Sequence, residues 1–482
     1  MFENISSNGI YKNLFDGNWI ESKTKNTIET HSPYDESLIG KIQAVSKDEV
    51  DEIFKNSRAA QKKWSDTPIN ERASIMRKAA DILDDNAEYL AKVLSNEIAK
   101  DINSAISEVK RTADFIRYTA NEGTHMEGEA ISSDNFPGSK KGKISLVERV
   151  PLGVVLAISP FNYPVNLSAS KVAPALIAGN SVVLKPPTVG AISALHLAEV
   201  FNAAGLPAGV LNTITGRGSE IGDYLITHEA VNLINFTGSS AVGKHISKIA
   251  GMIPVVLELG GKDAAIVLED ANLSAAANSI VSGAYGYSGQ RCTAVKRVLV
   301  MDSVADKLVS LVKEKVKELK VGKPSENVTI TPLIDNKAAD YVQTLIDDAI
   351  NKGATLVVGN KREKNLIYPT LFDNVTEDMR IAWEEPFGPV LPIIRVKSID
   401  EAIDLSNRSE YGLQAAVFTE NMHDAFYIAN KLEVGTVQVN NKPERGPDHF
   451  PFLGTKSSGM GTQGVRYSIE AMTRHKSIVL NI

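Results

Sequence analysis

From residue 150 onward, short apolar runs recur at intervals of about 20–30 residues, and helix-like stretches fill the gaps. The runs are Val154–Ile158, Ser181–Leu184, Val210–Ile214, Leu233–Phe236 and Val255–Leu257; Val189–Ala204 reads as one of the intervening helices. Strands alternating with helices predict βαβ units and a parallel sheet. A second series opens at Ala264–Leu268 and continues past residue 292 to about Val439. It includes Val298–Met301, a charged helix over Ala305–Leu319, and Thr436–Val439. With 482 residues the chain is too long for one ordinary core, and its length suggests about three domains.

Ahead of the first series, residues 47–120 read as helices. The clearest stripe is Ile102, Ile106, Val109, Ala113, Ile116 and Ala120. Arg111, Phe115 and Tyr118 form a second stripe, so that helix is expected to be contacted on two sides. Taken singly, Arg111 is more often a solvated surface arginine. Asp16-Gly17 between apolar residues signals a hairpin. Two pieces belong to neither series. Ile144, Leu146, Glu148 and Val150 alternate like a strand, and so do Ile478, Leu480 and Ile482 at the end of the chain. An apolar terminal strand is an edge liability unless covered. Pairing with another subunit is one way to cover it.

A net charge of −6 gives no electrostatic reason to expect nucleic acid or an anionic membrane as partner. Met1 to Ile5 show no basic region followed by an apolar stretch, and no apolar run approaches the ~20 residues that span a bilayer. A single cysteine suits a reducing compartment. The expectation is a soluble cytoplasmic protein.

The turns that follow the first-series strands are rich in glycine, serine and threonine, which suits phosphate binding at helix N-termini. They are Ser159-Pro160-Phe161-Asn162-Tyr163, Lys185-Pro186-Pro187-Thr188, Thr215-Gly216-Arg217-Gly218-Ser219 and Thr237-Gly238-Ser239-Ser240-Ala241-Val242-Gly243. None carries G-x-G-x-x-G. Gly238 to Lys244 follows the P-loop as far as its lysine, but His245 stands where a Ser or Thr should hold Mg²⁺. At the end of the second strand, where a carboxylate usually accepts a ribose hydroxyl, stand Lys185 and Thr188. That favours NADP over NAD if a dinucleotide binds.

Cys292 is the only cysteine. It cannot close an intramolecular disulfide, which leaves a reactive thiol or an inert buried one. Small neighbours and the adjacent Arg291 point to the first, since a nearby cation favours the thiolate. Glu258 closes the fifth strand ahead of Gly260 and Gly261. A glutamate there is costly if charged and unpaired, and partial burial suits a general base. The alternative is a local salt bridge, with Lys262 as the candidate partner. The two glycines permit close approach of another molecule. There is no H-E-x-x-H and no paired cysteine, so a zinc site lacks ligands and no metal is expected. Ser168-Ala169-Ser170-Lys171 and Ser133-Asp134-Asn135 resemble β-lactamase motifs in the wrong order, and chance explains them.

Taken together the segments resemble the aldehyde dehydrogenase superfamily. The carriers are Ser159-Pro160-Phe161-Asn162, Lys185-Pro186, Phe236-Thr237-Gly238-Ser239, Leu257-Glu258-Leu259-Gly260-Gly261, Gly289-Gln290-Arg291-Cys292 and Glu385-Pro386-Phe387-Gly388-Pro389. The resemblance implies an α/β fold of two open parallel-sheet domains and a small β oligomerisation domain. Residues 1–130 and 151–257 would form the dinucleotide-binding domain, 258–445 the catalytic domain, and 131–150 with 460–482 the oligomerisation domain of a homotetramer. Cys292 would be the nucleophile, Glu258 the base, and Asn162 with the Cys292 backbone N–H the oxyanion hole. Ser159, Pro160, Lys185, Thr188, Gly218, Gly238, Ser239, Glu385 and Phe387 would bind NADP, with Lys185 and Glu385 on its two riboses.

Within the superfamily, Pro160 to Asn166, Lys185 to Thr188, Gly286 to Thr293 and Asn440 to Gly446 look closest to members that oxidise glyceraldehyde 3-phosphate to 3-phosphoglycerate without forming an acyl phosphate. That likeness assigns the substrate phosphate to Arg111, Tyr163, Arg291 and Arg445, arginine offering bidentate geometry. Two alternatives stand beside this one. The first is an aldehyde dehydrogenase for another anionic aldehyde such as succinate semialdehyde. The second is a silent or non-oxidative thiol protein on the same fold.

Overall fold

A computed structural model describes residues 1–482. The first strand series forms a sheet in the spatial order 211–213, 181–185, 154–158, 233–237, 255–258, all parallel, with the short strand Gly459–Met460 antiparallel on the outside. Chain order therefore reverses beside Val154–Ile158: the next two strands add on one side of it and Leu233–Thr237 on the other. Both faces are covered. Val155, Ala157, Val182 and Leu184 pack with helices α2 (Ile69–Asp85), α3 (Ala87–Ile98), α4 (Ile102–Gly123), α5 (Asn166–Ile177) and α6 (Ala191–Ala203). Val154, Leu156, Val183 and Ile234 pack with α1 (Lys47–Ser65), α7 (Gly218–Ile226) and α8 (Ser240–Ile249). Burial on both faces explains why these strands read as continuous apolar runs rather than alternating ones.

The second series forms a seven-stranded sheet in the order 355–358, 370–373, 390–396, 297–301, 264–267, 414–418, 436–439. Only the outermost strand, Thr355–Val358, is antiparallel. Chain order reverses again, beside Ala264–Val267. Alternate residues feed two cores: Ala264, Ile266 and Leu299 on one face, Ala265, Val267, Val298 and Val300 on the other.

Helix α4 is capped by Asp101, whose side chain accepts the Ser104 N–H. Its stripe from Val109 to Ala120 is buried, and so is Phe115 on the second stripe, while Tyr118 is exposed. The Asp16-Gly17 hairpin joins Asn13–Phe15 to Asn18–Ile20, with both turn residues at positive φ. The two strands outside the main sheets find each other. Lys143–Pro151 pairs with Thr473–Asn481 over nine residues, and Glu129–Ser132 adds on its other side. The terminal strand thus has an intramolecular partner on one edge. Its other edge is open, and Ile478, Val479 and Leu480 are exposed.

Candidate active site

A cavity of about 580 Å³ opens at the C-terminal end of the first sheet. The loop after Val154–Ile158 contributes Ser159, Pro160, Phe161 and Asn162, and the loop after Leu233–Thr237 contributes Gly238 and Ser239. These loops flank the point where strand order reverses, the place at which an open α/β sheet takes its ligand. Thr188 joins from the loop after Ser181–Lys185, and Cys292, Glu385 and Phe387 from the second sheet's side. Ser239 caps α8 by accepting the Val242 N–H. The Ser159 hydroxyl accepts a hydrogen bond from Ser168 at 2.8 Å. Phe387, in the left-handed region at φ 47°, meets the Phe161 ring edge-on at 5.9 Å.

Lys185 and Gly218 do not line this cavity. Gly218 is exposed in the first turn of α7. Lys185 is buried at its strand end, where its Nζ donates to the Pro186 carbonyl at 3.0 Å, and burial pushes its pKa down to about 8.

Cys292 follows helix α9 (Leu273–Tyr285) and the turn Gly286–Gly289. Tyr287 and Ser288 both sit at φ 52°, and Gly289 at φ 70°. Non-glycine residues in this region cost about 1–3 kcal/mol each and persist only where the surroundings hold them. Here Ser288 donates to the Thr331 carbonyl at 2.8 Å and accepts its N–H at 2.9 Å, while the Tyr287 hydroxyl reaches the Ile98 carbonyl at 3.4 Å. A Cβ on Gly289 would lie 2.3 Å from the Gly388 carbonyl, so only glycine fits between the two loops. Clamped in this way, the turn fixes where the cysteine stands.

Burial pushes the Cys292 thiol up to about 12, and the charge of Glu258 adds to the effect. The opposing cation is Lys296, not Arg291. Lys296 donates to the Cys292 carbonyl and lies 3.1 Å from Glu385. The Arg291 guanidinium is turned to the carbonyls of Ser282 and Gly283 at the end of α9. The sequence-based reading of Arg291 as the group that favours the thiolate is therefore corrected: adjacency in sequence did not translate into contact.

Glu258 is buried, and its partner is not Lys262, which donates to the Glu384 carbonyl at 2.7 Å. Arg445 Nη1 donates to both carboxylate oxygens of Glu258 at 3.0 Å, and the Thr237 hydroxyl donates to one of them at 2.9 Å. Lys171 in turn donates to Thr237 at 2.6 Å, and burial pushes its pKa down to about 7. The glycines after Glu258 let the chain itself come close, and Gly260 also lines the cavity. A Cβ on Gly260 would meet the Glu385 carboxylate at 2.3 Å, and one on Gly261 the Cys292 carbonyl at 3.1 Å.

Asn162 donates its amide to the Gln290 carbonyl at 3.0 Å. Its own carbonyl accepts from the fully buried Lys100 at 2.7 Å. Lys100 is also paired with Glu108 and stands 3.5 Å above the Tyr163 ring and 4.4 Å from that of Tyr287. Glu108 accepts the N–H groups of Val165 and Asn166, so this pair holds the loop that carries Asn162 and Tyr163.

The four residues assigned to a substrate phosphate are not one bare cationic cluster. Arg111 makes a bidentate pair with Asp448 and donates to the Arg445 carbonyl. Arg445 lies between Glu258 and Asp448, Tyr163 is against Lys100, and Arg291 is apart at the end of α9. The chain's own carboxylates neutralise Arg111 and Arg445.

Sequence reasoning missed Lys100, Glu108, Lys171, Lys296, Asp448 and Gln463. Lys171 had a legible signal, a lysine in a helix where every residue is buried. The S-x-x-K reading drew attention to it for the wrong reason.

The donors along the cavity fit a dinucleotide. Hydroxyls and a helix N-terminus suit phosphates. The second strand ends in Lys185 and its loop brings Thr188, so no carboxylate stands there to repel a ribose phosphate.

The aldehyde dehydrogenase family model matches residues 19–478. The chain is 62% identical over 472 residues to the NADP-dependent glyceraldehyde-3-phosphate dehydrogenase of Streptococcus equinus, covering 98% of this chain and 99% of that one. A protein of the same name from Arabidopsis thaliana is 51% identical, covering 100% and 97%. Among solved structures, the NADP-dependent glyceraldehyde-3-phosphate dehydrogenase of Bacillus halodurans C-125 complexed with NADP superposes with a TM-score of 0.97 at 54% identity, covering 98% of this chain and 99% of that one.

Proposed function

The chain belongs to the aldehyde dehydrogenase family, and from that premise we propose that it oxidises D-glyceraldehyde 3-phosphate to 3-phosphoglycerate with NADP and water. The observation that carries the reading is one continuous cavity. The strand-end loops suited to a dinucleotide and the only cysteine of the chain line the same space. The similar proteins supply the substrate, and Arg111 and Arg445, paired with Asp448 and Glu258 here, are the cations a phosphate would engage.

Ser159, Pro160, Thr188, Gly238, Ser239, Glu385 and Phe387 line the cavity and would hold NADP; Lys185 and Gly218, outside its lining, are the further residues proposed for the cofactor, with Lys185 and Glu385 for its riboses. The chemistry this cofactor supplies is hydride acceptance. Cys292 adds to the aldehyde carbon, and after oxidation it carries the acyl group as a thioester. Because the site keeps the group as a thiol, its proton must leave before attack. The Asn162 amide and the Cys292 backbone N–H, which makes no hydrogen bond within the chain, receive the oxyanion. One such donor is worth about 3 kcal/mol. Glu258 takes a proton from the water that hydrolyses the thioester. Arg111, Tyr163 and Arg445 would hold the phosphate, and Arg291 would join them by turning from the Ser282 and Gly283 carbonyls. The lone cysteine suits the cytoplasm, and the open terminal strand suits a homotetramer.

The test is NADPH formation with glyceraldehyde 3-phosphate, glyceraldehyde and succinate semialdehyde, with the product identified as 3-phosphoglycerate. Faster turnover of succinate semialdehyde would move the substrate, and no NADPH from any aldehyde would remove the activity. Glu258→Ala should give a burst of NADPH followed by steady-state turnover slower by about 10²–10⁴-fold. Normal steady-state turnover would take the base role from Glu258.

A further inference from the structure

Glu258, Arg445, Asp448 and Arg111 form a chain of alternating charge that runs from the buried carboxylate outward. Their side chains are 4%, 12%, 14% and 38% exposed in that order. Arg445 is the pivot. One nitrogen of its guanidinium bonds both oxygens of Glu258 at 3.0 Å, and the other bonds Gln463 Oε1 at 2.7 Å. Its Nε lies 3.8 Å from Asp448, and its plane lies 4.9 Å from the Phe452 ring. Thr237 occupies one oxygen of Glu258 a second time. A carboxylate held in this way is poorly placed to take a proton from water, because three of its roughly four lone-pair sites are already engaged.

A phosphate dianion carries twice the charge of a carboxylate and can take the guanidinium as a two-nitrogen fork, where Glu258 engages one nitrogen alone. We propose that the substrate phosphate draws Arg445 away from Glu258 and thereby releases the base for thioester hydrolysis. The ion pair is then a specificity device: it delays hydrolysis of any acyl group that lacks a phosphate. In the released state the water oxygen bonds the acyl carbon, its proton goes to Glu258, and the carbon–sulfur bond breaks to return Cys292 as thiolate. The inference rests on the reading of Glu258 as base and Arg445 as phosphate ligand. It differs from a static role, in which Arg445 merely orients Glu258 and its loss would slow hydrolysis of every acyl group.

The experiment follows NADPH in stopped flow, using the holoenzyme with NADP and unphosphorylated D-glyceraldehyde, with and without inorganic phosphite. In the wild type, phosphite should accelerate the steady state after the burst by about ten- to a hundredfold, the range of one or two charge-assisted bonds, and should do so saturably. Arg445→Ala, which removes the pair, should hydrolyse the glyceryl thioester faster than the wild type does without phosphite, and phosphite should then have no effect. A wild type indifferent to phosphite, or an Arg445→Ala enzyme no faster on glyceraldehyde than the wild type, would overturn the coupling. The wild-type comparison stands even if the variant does not fold. If glyceraldehyde 3-phosphate itself gives no NADPH, the proposed function fails rather than the coupling.

Discussion

At the residue level, Cys292 and Glu258 each stand against one cation, Lys296 for the thiol and Arg445 for the carboxylate. A lone cysteine among glycines and a glutamate closing an apolar strand are visible in any reading of the chain. The cation opposing the thiol stands four residues on, at Lys296, whereas the one facing the carboxylate comes from a distant loop. Arg445 reaches Glu258 across 187 positions, and no spacing rule predicts that. The consequence for Cys292 is measurable. With its pKa pushed up to about 12 by burial and by Glu258, the protein without cofactor holds a thiol throughout the neutral range. Its thiolate fraction grows tenfold per pH unit below that value, so the rate of inactivation by iodoacetamide should climb without a plateau between about pH 7 and 9. A plateau below pH 8 would mean that another group activates the thiol before cofactor binds. Thr188 offers a second test. It lines the cavity beside a strand end that carries a lysine and no acid. Thr188→Glu should lower kcat/KM for NADP relative to NAD by at least about tenfold, the worth of one charge-assisted contact. An unchanged ratio would show that Thr188 does not approach the ribose phosphate.

At the element level, periodicity located the helices because their apolar stripes are long. It did not reveal the polar seam between α3 and α4. Lys100 and Glu108 have no accessible side-chain surface, and between them they hold the Asn162 carbonyl and two N–H groups of the following loop. From sequence, each reads as a surface charge beside an apolar residue. The turn before Cys292 was hidden for another reason: left-handed backbone at Tyr287 and Ser288 runs against residue preference and is held only by tertiary contacts. Lys100→Met would leave the Glu108 charge buried without its partner, at a cost of about 3–5 kcal/mol. Lys100→Met combined with Glu108→Gln should recover much of that loss in thermal denaturation. It should not recover kcat, because the Asn162 carbonyl still lacks its donor. A double variant with wild-type kcat would show that the pair serves stability alone.

On the scale of the whole molecule, alternation of strand and helix was enough to give two parallel sheets. It could not give the order of strands within them, and that order decides where the site lies. The cavity forms where the first sheet reverses its order, and the second sheet supplies the thiol from the other side. The third sheet was legible as two stray alternating segments, but their mutual pairing was not, since 322 residues separate the ends of the strands. Pairing solves half of the edge problem. The terminal strand still presents one open edge, and Ile478, Val479 and Leu480 are 43%, 53% and 41% exposed. Consecutive strand residues point to opposite faces, so the tail sheet shows apolar surface to solvent on both sides. A patch of that kind marks an interaction surface, and a further copy of this chain is the occupant consistent with a homotetramer. Val479→Asp places a charge at the centre of the exposed apolar triplet 478–480, away from the cavity. In an apolar interface the substitution should cost at least about 2 kcal/mol per copy. Sedimentation velocity should then show smaller species than the wild type, while NADP binding per chain stays intact. An unchanged sedimentation coefficient, with the charge in place and the fold retained, would take the tail sheet out of the interface and leave its apolar faces without a partner.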